Sequence, residues 1–109
     1  MTVEMTPGYW QAARAIAREL AIAKPKANEL KKVVAYLCWL RNRQEPVRID
    51  RLLEYLVLLA QYGEQHGNNT PEYYRAIEQS CRTHLQPLQV DGNELIQILG
   101  WAARLHQAE

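Results

Sequence analysis

Proline occurs five times, at Pro7, Pro25, Pro46, Pro71 and Pro87, and each one falls between stretches whose apolar residues recur at intervals of three and four. A proline inside a helix removes an intrahelical hydrogen bond and clashes with the preceding turn. At the first helical position its missing N–H costs nothing. The prolines and glycines therefore cut the chain into segments of helical length. Thr6-Pro7 opens the first, with Thr6 as N-cap and Trp10, Ala13, Ile16, Ala17 and Leu20 as its apolar stripe, and Lys24-Pro25-Lys26 ends it. The second runs from about Ala27 to Asn42, with Leu30, Val33, Val34 and Leu37 on one side. Pro46 and Asp50 offer two starts for the third, whose body Leu52 to Tyr62 is apolar nearly all round, and Gly67-Asn68-Asn69 closes it in a turn. Thr70-Pro71-Glu72 repeats the cap-plus-proline start, and Tyr74, Ile77, Cys81 and Leu85 form the fourth stripe before Pro87. In the fifth, Asp91 and Glu94 make a capping-box pattern ahead of Leu95, Ile98, Leu99, Ala102 and Leu105.

No stretch shows the sustained alternation of a strand, so the expected fold is all-α: a compact bundle of about five helices in one domain spanning residues 1–109. At 48% hydrophobic and 23% charged, the chain lies outside the compositional range of disordered segments. The third helix, lacking a polar face, is either central or turned to both the core and a partner.

The inventory of reactive groups points away from catalysis. His66, His84 and His106 are scattered, without a paired histidine on one helix or a cysteine at metal-ligand spacing, and read as solvated helix-end residues. The glycines are isolated, which excludes a phosphate-cradling loop, and Ser80, the sole serine, stands in no nucleophile elbow. No enzyme activity, metal or cofactor is expected. Cys38 and Cys81 lie in apolar helical segments and read as free, buried thiols of a reducing compartment. Residues Met1 to Tyr9 lack the pattern of a secretory leader, and the longest apolar run, Leu56 to Ala60, is too short to span a bilayer, so a cytoplasmic protein without membrane contact is expected.

The net charge of +1 conceals a division. Residues 1–51 hold ten basic and five acidic side chains, and residues 52–109 hold three basic and seven acidic, so the chain is a candidate electrostatic dipole. On the second helix, Lys32, Tyr36, Trp39 and Arg43 fall in one narrow stripe roughly opposite Leu30, Val34 and Leu37. Cations for phosphates interleaved with rings for bases or sugars suit a nucleic-acid strand. Lys24, Lys26 and Lys31 at the helix entrance, and Arg41, Arg48 and Arg51 near and past its exit, extend the track. Arg14 and Arg18 on the first helix join it if the two helices pack antiparallel. A structural alternative stands beside this reading: Tyr36 and Trp39 pack under another helix, with Lys32 and Arg43 snorkelling at its edges. Trp101, flanked by Gly100 and Ala102-Ala103, reads as a close helix-packing site.

A small helical chain with a basic N-terminal half and the apolar helix Glu94-Leu95-Ile96-Gln97-Ile98-Leu99-Gly100-Trp101-Ala102-Ala103-Arg104-Leu105-His106 resembles the small subunits of CRISPR–Cas effector complexes, of the type I Cascade-like or type III kind. The resemblance is one of architecture and covers most of the chain. It implies a non-catalytic subunit that stacks in two or more copies, contacts the other subunits of the complex, and steadies the guide RNA with its target strand, or the displaced DNA strand, through positive side chains. The acidic C-terminal half departs from a binding surface running the whole length of the protein. The alternative function is a helical protein-interaction or assembly module that docks through the apolar third helix, with Tyr55 and Tyr62 in the contact and no nucleic-acid role. A helix-turn-helix repressor is disfavoured, because a groove-reading helix needs a polar face.

Overall fold

The computed structural model describes residues 4–23, 27–65 and 71–108. Five α-helices, α1 (Pro7–Ala23), α2 (Ala27–Asn42), α3 (Ile49–Gln65), α4 (Pro71–His84) and α5 (Gly92–Ala108), with a 3-10 turn at Gln86–Leu88, form the all-α bundle expected. Among the described residues there is no strand. The segments Lys24-Pro25-Lys26 and Gly67-Asn68-Asn69, the cap Thr70, and His66 lie outside the described residues.

The cap-plus-proline signal is used as written at the start of α1. Thr6 caps α1: its Oγ1 accepts the Tyr9 amide at 3.2 Å and its carbonyl accepts that of Trp10 at 3.0 Å. α2 ends in a Schellman motif, with the Glu45 amide on the Leu40 carbonyl (2.9 Å) and the Gln44 amide on that of Arg41 (3.0 Å). Gln44, not a glycine, takes the left-handed position at φ 60°.

One expectation is overturned. Asp91 and Glu94 do not form a capping box on α5; both carboxylates are spent elsewhere. Asp91 Oδ1 accepts the Ile49 amide at 3.3 Å, capping α3 from a distant loop, and Glu94 accepts the hydroxyl of Tyr9 on α1. The Gly92 amide donates to the Val47 carbonyl at 2.7 Å, with Gly92 at φ +62°. The loop entering α5 is therefore latched to the loop entering α3, which satisfies orphan amides at both starts.

The core joins all five helices. Ile16 and Leu20 of α1, Leu30, Leu37 and Leu40 of α2, Leu52 and Leu56 of α3, Ile77 of α4, and Leu95, Ile98 and Leu99 of α5 are fully buried. Each such side chain contributes roughly 1.5–3 kcal/mol relative to an exposed one. α4 packs between α3 and α1, and α5 packs between α1 and α2. The ring closes where Tyr36 of α2 stacks on Tyr55 of α3, centroids 3.8 Å apart and planes 9° from parallel. α3 buries Leu52, Leu53, Leu56 and Ala60 and leaves Leu58 and Tyr62 62% and 57% exposed, so it turns one face to the core and an apolar face outward.

This order changes the meaning of the charge division. α1 lies against α4 and α5 instead of along α2, and α5 separates the two basic helices. α5, from the second half of the chain, thus sits between the two helices of the first half, and their basic residues are divided between helices that do not pack along each other.

Candidate nucleic-acid interface

The outer face of α2 carries the first candidate site. Because Leu30, Val33, Leu37 and Leu40 point into the core, residues out of phase with them are forced outward. Trp39 is 51% exposed, and the Arg43 guanidinium lies 4.8 Å from its ring centroid, one turn further along. An exposed indole held beside a cation offers a ring for a base and a fixed donor fork for a phosphate.

The four stripe residues separate into two kinds. Tyr36 is half-buried, with one face taken by Tyr55 and Trp39 approaching at 6.3 Å, so for this ring the packing alternative holds. Burial, with a smaller push from Tyr36, raises the pKa of Tyr55. Trp39 and Arg43 remain open, as does Lys32, 61% exposed, although its ammonium lies 3.4 Å from the Glu29 carboxylate. That carboxylate is itself buried, 6% exposed, and accepts the Tyr74 hydroxyl at 2.6 Å.

The remaining basic candidates are dispersed. Lys31, Arg41 and Arg48 are exposed, with Arg41 reaching Asn93 Oδ1 at 3.3 Å. Arg51 is half-buried and bound locally, to Glu45 at 3.8 Å and the Pro46 carbonyl at 3.5 Å. Lys24 and Lys26 lie outside the described residues. Arg14 and Arg18 are exposed but belong to α1, and the antiparallel α1–α2 packing that would join them to the α2 track does not occur.

Trp101 packs between helices as read, but without a close approach at Gly100. Ala102 and Ala103 are buried as a close-packing site requires, but a Cβ built on Gly100 would meet nothing within 4 Å. Trp101 instead meets Trp10 of α1, centroids 4.9 Å apart at 54°, and carries Arg104 at 4.7 Å. Arg14 lies 5.9 Å from the Trp10 ring. Every tryptophan of the chain thus has an arginine beside it, and the signal stood in the sequence as a tryptophan followed by an arginine three or four positions later. Since Gly100 sits mid-helix in open space, Gly100→Ala is expected to stabilise the protein by roughly 0.5–1 kcal/mol, read as a higher urea midpoint. A loss of stability would restore the close-packing interpretation.

A hydroxyl, a carboxylate and an imidazole do meet between α1 and α4, but in the wrong order for nucleophilic catalysis. Ser80 Oγ donates to Glu19 Oε1 at 2.8 Å, and His84 Nε2 meets the other oxygen of the same carboxylate. A relay needs the imidazole between hydroxyl and carboxylate. Here the carboxylate is in the middle, and Ser80 is 2% exposed. Burial raises the Glu19 pKa, but the hydrogen bonds from His84 and Ser80 outweigh it and the net shift is downward. The group ties α1 to α4, and His84 is a partner in it instead of a solvated helix end. His106 is half-buried in the last turn of α5.

Both cysteines are free; Cys81 is fully buried, its thiol pushed up to about 12 by burial and Glu78, whereas Cys38 is only half-buried. Among the described residues no three His, Cys, Asp or Glu side chains are placed to hold a metal ion, and no helix is long and apolar enough to cross a membrane. The chain matches no family model, no curated protein and no solved structure.

Proposed function

We propose that the chain is a non-catalytic subunit that holds single-stranded nucleic acid through its backbone, with the outer face of α2 as the contact. The observation that carries the reading is Trp39, half exposed on a helix whose opposite face is core, with Arg43 beside its ring. Lys31, Lys32, Arg41 and Arg48 supply further exposed charge on and just beyond this helix. Spread-out cations and a single ring favour backbone and stacking contacts over base-edge readout, so affinity is expected to be insensitive to sequence. Service within an RNA-guided CRISPR effector complex, in more than one copy, rests on the architectural resemblance alone.

A labelled oligothymidylate titrated across a salt series tests the binding. With roughly four phosphates neutralised, log affinity is expected to fall against log salt with a slope of about −3. The double variant Lys31→Glu, Arg43→Glu should weaken binding by at least tenfold at unchanged helicity, and an unchanged affinity would remove the α2 assignment. Lys32 is left intact in that variant, because reversing it would set a second carboxylate against the buried Glu29.

The outward face of α3 favours a second reading, a protein-interaction module. Tyr55, Leu58, Leu59, Gln61 and Tyr62 line an open, mostly apolar groove of about 490 Å³. That reading expects no salt-sensitive binding of oligonucleotide, and a protein association that weakens on Tyr62→Ala.

A further inference from the structure

The cluster Arg14–Trp10–Trp101–Arg104 is not used by the α2 contact and lies on a different pair of helices. α1 and α5 pack face to face, and Glu94 on the Tyr9 hydroxyl fixes their register beside the cluster. The two indoles touch at 54° and are both half-buried, Trp101 resting against the core with part of its surface open. Each carries a guanidinium within 6 Å of its centroid, and both arginines are exposed. Arg18 adds an exposed cation one turn beyond Arg14.

Three features make this arrangement more than two packed rings. Among the described residues none of Arg14, Arg18 and Arg104 is held by a carboxylate. The nearby acids are engaged elsewhere, Glu94 by Tyr9 and Glu19 by Ser80 and His84. The surface beside Trp101 is also vacant, because Gly100 carries no side chain and nothing lies within 4 Å of where its Cβ would be. A guanidinium lying against an indole keeps its outward N–H edge for an anion, and its position is fixed in advance, so less rotamer freedom is lost on binding.

We propose that this face is a second binding site for single-stranded nucleic acid, in which an unpaired base enters the space over Gly100 against Trp101 while Arg14 and Arg104 take the flanking phosphates. The base must be unpaired, since a duplex offers its ring faces to no side chain that does not first unstack it. The site goes beyond the α2 contact and stands or falls separately from it. With α5 between the two, a strand bound at both must cross that helix.

Protein containing fluorotryptophan reports on the three indoles separately by fluorine NMR. Saturating oligothymidylate is expected to shift the Trp10 and Trp101 resonances, and heparin or a matched duplex to leave Trp101 near its free position. Arg14→Gln with Arg104→Gln should weaken oligothymidylate binding at least tenfold at unchanged helicity. Gly100→Gln, which fills open surface, should give a comparable loss without touching a charge, and it decides the matter if the arginine variant is poorly folded. Unmoved Trp10 and Trp101 resonances at saturation, an affinity within twofold of the parent in both variants, or equal shifts with heparin would each overturn the proposal. If only Lys31→Glu, Arg43→Glu loses binding, this site falls and the α2 contact remains. If only the α1–α5 variants lose it, the reverse holds.

Discussion

Leu37→Ala is expected to lower stability by about 3 kcal/mol, while Trp39→Ala, two residues on and removing a larger side chain, should cost less than about 1 kcal/mol. Leu37 is fully buried among the packed side chains of five helices, so its truncation loses transfer free energy and leaves a cavity that the neighbours fill only in part. Against a total of roughly 5–15 kcal/mol, that is a large fraction, and the melting temperature should fall by roughly 15 °C. Trp39 has half its surface in water already and gives up a cation–π contact at an exposed site, partly offset by the better helix propensity of alanine. Binding should show the opposite order. Losing one stacked ring costs roughly 1–3 kcal/mol, so Trp39→Ala should weaken oligonucleotide binding about tenfold, whereas Leu37→Ala, measured below its melting point, should leave it near the parent value. Equal destabilisation by both, or binding indifferent to Trp39, would return the ring to a packing role.

The same pair marks the boundary of what could be read from the chain. Leu37 and Trp39 are told apart by helical phase alone, a local property, and the buried positions of α1, α4 and α5 follow from phase in the same way. Helix ends were legible where a local group does the work, as at Thr6. They were not legible at Asp91, whose carboxylate is satisfied by an amide 42 positions away in sequence, nor at Gln44, which takes the left-handed turn that a glycine would have announced. Tyr36 and Trp39 share a stripe, yet only one is exposed, because the distinction rests on Tyr55 arriving from another helix. The order of helices around the ring is non-local in the same sense, and it decides that Arg14 and Arg18 lie on a helix packed against α5 and not on one packed along α2.

What the arrangement supports functionally is an economy of exposed aromatic surface. All three indoles are partly open and all three are guarded by arginine, while Tyr36 and Tyr55, the tyrosines that cover each other, close the bundle between α2 and α3. A solvent-facing tryptophan without a cation beside it is chiefly an apolar patch. With one, it is matched to a ligand that pairs flat rings with negative charge. The outward face of α3 is of another kind: Leu58 and Tyr62 expose chiefly apolar surface, and the groove beside Leu58 is edged by acids and a base, Asp50, Glu54 and Arg82. The two surfaces therefore call for different partners, and a subunit that holds a strand on one and a protein neighbour on the other would use both.

Raising the pH above about 10 should unfold the protein through the contact that fixes α2 to α4. The Tyr74 hydroxyl donates to the buried Glu29 carboxylate, and burial together with that carboxylate raises the tyrosine pKa far above its ordinary 10.0. In the unfolded chain the phenol ionises at its ordinary value, whereas the folded chain keeps the proton to higher pH. Above pH 10 the unfolded state therefore binds fewer protons, and the contribution, complete below that pH, is lost as the pH climbs toward the folded value. One proton of difference gives a slope of about 1.4 kcal/mol per pH unit. Tyr9 and Tyr55, also raised, act in the same direction. Tyr74→Phe removes a donor from a buried carboxylate and should cost about 1–3 kcal/mol at neutral pH, yet its stability should decline less steeply than the parent's beyond pH 10. Urea unfolding in half-unit steps across that range checks both: two curves that stay parallel would mean that Glu29 holds α2 in place without the help of the Tyr74 proton, and that the basic entrance of α2 is positioned by packing alone.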